Sequence, residues 1–115
     1  DEASVVVHES AHFLWGLVPA ERQRRLALFA AGSGDAGSRA FRLFGEAIPT
    51  ALGQGVADRA FRPSAFSLDG PWYHTEDVDA CAKRIYPTVR DALAAGLTLD
   101  EELVLRAIRA ANGPR

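Results

Sequence analysis

The stretch VVVHESAHFLWG, residues 5–16, determines how the rest of the chain is read. It contains two of the three histidines, His8 and His12, with Glu9 beside the first of them. Valine alone favours a strand, but nothing after residue 7 alternates with the period of two that a half-buried strand shows. One face instead repeats at helical spacing, through residues 5, 8, 11, 12 and 15. We therefore predict a helix over residues 2–17.

Two expectations concern the start of this helix. Ser4 is a candidate N-cap, and Asp1 is the alternative, because a side-chain oxygen there can accept a hydrogen bond from a free backbone N–H. The three valines, residues 5–7, are expected to be buried.

Proline and glycine divide the remaining sequence into further helices. Pro19 is typical of a first helical position and predicts a second helix over residues 20–31. The glycine-rich stretch 32–38 predicts a loop. A third helical segment follows over residues 38–61, and Pro49 is expected to kink or break it near Ala47.

Two more helices are predicted beyond an aromatic loop, residues 65–74. Thr75 is a candidate N-cap for a fourth helix over residues 76–95, which Gly96 ends. Thr98 and Glu101 have the spacing of a capping box for a last helix over residues 99–111. The predicted fold class is therefore mainly α, a small helical bundle of about five helices.

Composition limits the function classes. The chain has 115 residues, 48% hydrophobic and 24% charged, which suits one soluble globular domain. A net charge of −2 argues against a nucleic-acid partner, which requires a basic patch. No apolar run approaches the roughly 20 residues of a membrane span. Cys81 is the only cysteine, so an internal disulfide is excluded.

The chain begins at Asp1 and contains no methionine. We therefore expect it to be part of a longer protein. The cellular compartment and the oligomeric state stay open.

The two histidines suggest a metal site. Residues four apart on a helix lie above one another, so His8 and His12 can present two nitrogens to one zinc ion. Glu9 is rotated by about 100° from His8, where it can reach a water on the open side of the ion and act as general base. The pattern His-Glu-x-x-His on a helix has this mechanism. The alternative is a pair of buried histidines whose hydrogen bonds are satisfied.

A hydrolytic zinc ion usually has three protein ligands and one open position. The downstream candidates for the third ligand are Glu46, Gln54, Asp58, His74, Asp77 and Asp79. Glu46 is favoured, because it lies mid-helix among apolar residues, where an unpaired carboxylate is costly. Small residues share its face at positions 50, 53 and 57, which would let another helix approach closely. The alternative is a surface pair between Glu46 and Arg42, and Gln54 is assigned a supporting or structural role.

The sequence HESAH over residues 8–12, followed by Glu46, resembles the gluzincin branch of the zincin metallopeptidases. The stretches GEAIPTALGQG (45–55), Trp72-Tyr73 and AKRIYP (82–87) are similar to uncharacterised bacterial metallopeptidases of that type. The resemblance implies that His8, His12 and Glu46 bind zinc and that Glu9 is the base. It also implies an oxyanion donor, for which Tyr73 and His74 are the candidates.

The same resemblance implies a fold and a substrate. The chain corresponds to the C-terminal, helical half of a zincin. In zincins a twisted sheet precedes the active-site helix and its edge strand holds the substrate backbone, but this chain shows no such sheet. The valines would pack beneath it. The expected function is a zinc-dependent hydrolase, a metallopeptidase with a peptide or protein substrate. The alternative is a non-catalytic helical interaction domain in which the motif is degenerate or coincidental.

Overall fold

A computed structural model describes residues 2–96 and 100–113, and this part of the chain is helical and contains no strand. The helices are α1 (Glu2–Gly16), α2 (Ala20–Ala31), α3 (Gly34–Thr50), α4 (Asp58–Phe61), α5 (Glu76–Ala94) and α6 (Glu101–Asn112), and a π-helical segment (Ala51–Ala57) joins α3 to α4. Since α3, the π segment and α4 are continuous, the described chain forms five helical rods. The predicted bundle of about five helices is confirmed.

Helix α3 lies at the centre of the bundle and contacts α1, α2, α5 and α6. The core between these helices is rich in alanine and branched aliphatic residues. Its buried members include Leu26, Ala30, Phe44, Ala47, Ile85, Val104 and Ile108. Small side chains at the contacts let the helix axes come close together, and α1 rests on α3 and on the π segment.

The loop predicted over residues 32–38 is wrong in extent, because only Gly32 and Ser33 separate α2 from α3. Gly34 adopts a left-handed φ of +82°, which glycine reaches without steric strain. Gly37 packs so closely on α2 that a Cβ there would collide with the carbonyl oxygen of Ala30. The glycines of this stretch therefore provide one tight turn and one close helix contact, and helix α3 already begins at Gly34.

The break predicted near Ala47 is also wrong. Helix α3 continues through Pro49 to Thr50, and the register changes to π only at Ala51. Ala47, Pro49 and Thr50 are all buried, so tertiary packing holds the helix through the proline. A π-helix closes its hydrogen bonds five residues apart, one more than an α-helix.

The start of α1 differs from the prediction in two ways. Ser4 is buried two residues inside a helix that already begins at Glu2, so it is not the cap. The prediction of buried valines is wrong for Val5 and Val6, which are 52% and 62% exposed. Helix α1 packs on the π segment through Ser4 and His8, and the valines at positions 5 and 6 are turned away from that contact.

The last two helices are bounded mostly as predicted. Gly96 has a left-handed φ of +70° and follows the end of α5. Thr75 occupies the N-cap position of α5, although its side chain makes no capping hydrogen bond. Helix α6 is capped by Asp100, whose carboxylate accepts a hydrogen bond from the Leu103 backbone N–H at 3.0 Å. The predicted cap Thr98 lies outside the described residues.

Within the described chain, no helix combines the length and the apolar character that crossing a membrane would require.

Candidate metal centre

Helices α1 and α3 meet at a cluster of two imidazoles and a carboxylate. One oxygen of Glu46, Oε1, lies 2.9 Å from His12 Nε2 and 3.3 Å from His8 Nε2. The two imidazole rings are 5.0 Å apart, as expected for residues one helical turn apart on one face. The side chain of His8 is 15% exposed and that of Glu46 is 41% exposed, so the cluster opens to solvent on one side.

A glycine in the π segment allows α1 to lie close to that segment. A Cβ on Gly53 would lie 2.6 Å from the Ser4 carbonyl oxygen and 3.2 Å from the Cβ of His8. Thr50 and Ala57, the other small residues predicted on this face, are buried as well. The small residues that follow Glu46 therefore let α1 lie directly on the rod that carries the carboxylate.

Glu46 interacts with the histidines and not with Arg42. Partial burial raises the pKa of Glu46, but hydrogen bonds and charge from His12, and then from His8, outweigh it, so that the pKa of Glu46 lies below its ordinary value. Arg42 has no ion pair or hydrogen bond within the described part of the chain. The alternative surface pair between Glu46 and Arg42 is thus not observed.

The distances in the cluster suit a tetrahedral zinc site. Bonds of about 2.0–2.1 Å from zinc to nitrogen or oxygen place two ligand atoms about 3.4 Å apart at the tetrahedral angle. The contacts of 3.3 Å and 2.9 Å from Glu46 to the histidines lie close to this separation. Two neutral imidazoles and one carboxylate are also the donor set that hydrolytic zinc sites use. The residues therefore fit the ion.

Glu9 supplies a second carboxylate nearby. The ligating atoms of His8, Glu9 and His12 all lie within 4.8 Å of one another. Glu46, which is not a member of that group, is the other candidate for a third ligand, because one of its oxygens contacts both Nε2 atoms, whereas Glu9 is exposed. Glu9 is left free to contact a water or a substrate beside the ion.

A polar cavity of about 280 Å³ opens beside this cluster, and we call it the polar cavity. It is lined by Val5, His8, Glu9, Gln54, Trp72, Tyr73 and His74. The five site residues predicted from sequence, His8, Glu9, His12, Glu46 and Tyr73, are thus brought together from α1, α3 and the loop before α5. Gln54 lines the polar cavity as a supporting residue would.

Tyr73 stands over the first histidine. Its ring is nearly parallel to that of His8, at an angle of 7° and a centroid distance of 6.3 Å. Partial burial raises the pKa of Tyr73, and the charge of Glu46, a hydrogen bond with Glu46 and the charge of Glu9 raise it further. These surroundings disfavour ionisation of the Tyr73 hydroxyl group. The His74 ring stacks on Tyr73 at 4.3 Å and also lines the polar cavity.

Tyr73 is held in place by Asp79, a role that no residue pattern predicted. Asp79, considered only as a metal ligand, accepts hydrogen bonds from the backbone N–H groups of Trp72 and Tyr73 at 2.5 Å and 3.1 Å. Lys83 pairs with its other oxygen at 2.8 Å. The signal in the sequence was an acid in the first turn of a helix that follows a loop, a position from which a side chain can cap the loop backbone.

An aromatic cluster fixes the same loop from the other side. Phe66, Trp72 and Tyr86 have ring centroids 5.6–6.0 Å apart, and the Trp72 indole N–H donates to the Ser67 carbonyl at 2.7 Å. Gly55 of the π segment makes room for them, because a Cβ there would lie 2.6 Å from the Tyr86 ring. The loop is thereby anchored to the rod that carries Glu46.

The remaining candidate ligands lie elsewhere. Asp77 lines a separate cavity with Arg39 and Cys81, and Asp58 forms no metal-ligating cluster with other described residues.

Burial raises the pKa of the Cys81 thiol to about 11, which keeps this side chain protonated and unreactive.

No family model, curated protein or solved structure matches this chain. The resemblance of residues 8–12 and Glu46 to the gluzincins therefore stays a prediction, and it stands on the motif and on the geometry described above.

Proposed function

We propose that this chain carries the metal centre of a zinc-dependent metallopeptidase of the gluzincin type. The observation that carries the proposal is the contact of a single Glu46 oxygen with both His8 Nε2 and His12 Nε2. These side chains come from two helices that are more than 30 positions apart in sequence. The contact is partly buried and joins two helices, and it brings together the two imidazoles and one carboxylate that a three-ligand site requires.

His8, His12 and Glu46 would hold the ion, which when bound would polarise a water molecule and the scissile carbonyl group. Glu9 lines the polar cavity next to His8 and is free of the ligand contacts. Its carboxylate would take the proton of the attacking water and then deliver it to the leaving amine, as a general base and acid.

Tyr73 would serve as the oxyanion donor. It lines the same cavity as Glu9, and its backbone N–H is held by a hydrogen bond to Asp79. A preorganised donor of this kind stabilises the charge that develops on the carbonyl oxygen. The choice of a peptide bond as substrate rests on the resemblance of residues 8–12 and Glu46 to the gluzincins.

The decisive experiment compares wild-type protein with Glu9→Gln. Protein purified without chelator is expected to contain about one equivalent of zinc in both forms, while only the wild type cleaves an unstructured protein substrate such as casein. Glu21→Gln, at an exposed position of α2, is the matched control and should change neither measurement. Protein that contains almost no zinc, or a Glu9→Gln variant as active as the wild type, contradicts the proposal.

A second candidate function, a non-catalytic interaction domain, is favoured by a separate observation. Helix α1 and the residue that follows it expose four large apolar side chains, Val6, Phe13, Leu14 and Leu17. Exposed apolar patches mark surfaces that another protein segment covers. Under this alternative the Glu9→Gln variant would behave as the wild type, and charged substitutions at Phe13 and Leu17 would abolish the only activity, which is binding.

A further inference from the structure

A second cavity lies between α1 and α3 and shares no lining residue with the polar cavity. It measures about 340 Å³, and we call it the apolar cavity. Its walls are Trp15, Phe41, Arg42, Phe44, Gly45, Ile48 and Pro49. Three aromatic rings and one aliphatic side chain face it, and the only charged lining residue is Arg42.

On each of the two helices that build the apolar cavity, a lining residue lies one helical turn from a candidate metal ligand. Trp15 follows His12 by one helical turn on α1, and Arg42 precedes Glu46 by one turn on α3. Residues at this spacing lie on one face, with Cβ atoms about 5–6 Å apart. A substrate whose reacting carbonyl lies at the His12–Glu46 contact would therefore extend its next residue into the apolar cavity.

The lining indicates the chemistry of that residue. Aromatic walls and a volume of about 340 Å³ suit a large apolar side chain, because small-molecule pockets are mostly apolar with few, precisely placed polar groups. Arg42 is exposed at the cavity and has no acidic partner in the described chain. A guanidinium without a partner favours a carboxylate, to which it can donate two parallel hydrogen bonds.

We propose that the apolar cavity selects peptides whose C-terminal residue is large and apolar, with Arg42 binding the terminal carboxylate. The inference rests on the proposed peptidase function and adds its substrate class. The bond to be cleaved is the last peptide bond of the substrate. The carboxylate lies three bonds beyond the carbon that is attacked. An arginine one helical turn from Glu46 is long enough to reach it.

Binding and cleavage are measured with acetylated tetrapeptides that end in Phe or in Ala, each as free acid and as amide. Affinities are measured by calorimetry with zinc-loaded Glu9→Gln protein, which binds without turnover. The Phe acid is expected to bind at least about tenfold more tightly than the Ala acid, because more apolar area is buried. Amidation of the Phe peptide should weaken binding by a similar factor.

Two variants test whether the apolar cavity and Arg42 cause the preferences for Phe over Ala and for acid over amide. Gly45→Phe fills it from an exposed position where a Cβ meets no atom within 4 Å, and it should remove the preference for Phe over Ala. Arg42→Gln should remove the preference for acid over amide. The matched controls are Gly16→Phe, equally open at the end of α1, and Arg39→Gln, which lines a different cavity.

Equal affinities for the Phe and Ala peptides, or for acid and amide, overturn the inference. So does a preference that survives in the Gly45→Phe and Arg42→Gln variants. These results are distinct from a failure of the proposed function. If the wild-type protein cleaves internal peptide bonds without regard to the C-terminal residue, only the substrate class is refuted. If the protein binds these peptides selectively but neither holds zinc nor cleaves any peptide, only the peptidase function is refuted.

Discussion

Glu46 Oε1 lies 2.9 Å from His12 Nε2, although 34 positions of sequence separate the two residues. The contact depends on α1 resting on the rod formed by α3 and the π segment, so the packing that specifies the fold also brings the candidate ligands together. The first prediction therefore concerns the Glu46 carboxylate.

Glu46→Ala should lower zinc affinity by more than the roughly 10–100-fold that the loss of a supporting residue causes. Gln54→Ala, on the wall of the polar cavity, should cause a smaller loss, because a neutral amide is not a ligand of this site. A competition titration against a chelator of known affinity measures both. Equal losses in the two variants would mean that Glu46 does not coordinate the ion.

Tyr73→Phe should lower kcat about 10²–10³-fold, the usual effect of removing one oxyanion donor, and leave zinc affinity unchanged. The phenyl ring keeps the parallel arrangement with His8, so only the hydroxyl is lost. His74→Gln is the matched comparison, since His74 lines the same cavity. If His74→Gln lowers kcat and Tyr73→Phe does not, His74 is the oxyanion donor and Tyr73 is not. Steady-state kinetics at saturating zinc decides between them.

Two glycines on the same rod should respond in opposite directions to alanine. Gly53→Ala forces a methyl group to within 2.6 Å of the Ser4 carbonyl oxygen, and overpacking of this kind destabilises by about 1–3 kcal/mol. Gly45→Ala meets no neighbour and should stabilise the helix by about 0.5–1 kcal/mol. Urea unfolding monitored by circular dichroism gives both free energies. A Gly53→Ala variant that is as stable as the wild type would show that α1 does not rest on Gly53.

Asp79→Asn should destabilise the protein at pH 7 by about 1.5–3 kcal/mol, because it weakens hydrogen bonds to a charged acceptor. Burial raises the pKa of Asp79, but the Lys83 contact and the backbone N–H groups of Trp72 and Tyr73 outweigh it and lower that pKa. A lowered pKa contributes stability that is present above the unfolded value of about 3.9 and is lost as the pH falls through the folded value.

The difference in unfolding free energy between wild type and Asp79→Asn should therefore be full at pH 6–7 and shrink below about pH 4. Asp91→Asn is the control, because Asp91 pairs with Arg90 at an exposed position, where such a pair contributes little. A difference between wild type and Asp79→Asn that does not change with pH would contradict the role of the charged carboxylate.

The helices could be predicted because their signals are local, and the structure brings together the three residues that were predicted as ligands. The His8–His12 spacing fixes two imidazoles on one face, and the apolar surroundings of Glu46 distinguish it from the other acids. Glycine was harder to interpret, because sequence does not tell whether it serves flexibility or close contact. Gly34 and Gly37 suggested a loop, whereas one provides a left-handed turn and the other lies against Ala30.

Features that depend on tertiary contacts could not be predicted from residue patterns. The hydrogen bonds of Asp79 to the loop backbone need the loop to fold back over the start of α5, which no local pattern specifies. The exposure of Val5 and Val6 likewise depends on which face of α1 rests on its neighbours. The change from α to π register at Ala51 follows from the packing of buried residues on both sides.

The π segment has a consequence for how the length of this protein can vary. A π-helical turn contains about one residue more than the α-helical turn it replaces, so deletion of one residue within 51–57 would restore an α-helix with little rotation of α4 relative to α3. The deletion would nevertheless shift the residues inside the segment, so that Gly53 would leave its contact with the Ser4 carbonyl oxygen or Gly55 its contact with the Tyr86 ring. Among natural or engineered variants, we therefore expect single-residue insertions and deletions in this segment to be tolerated far less often than substitutions at positions other than Gly53 and Gly55.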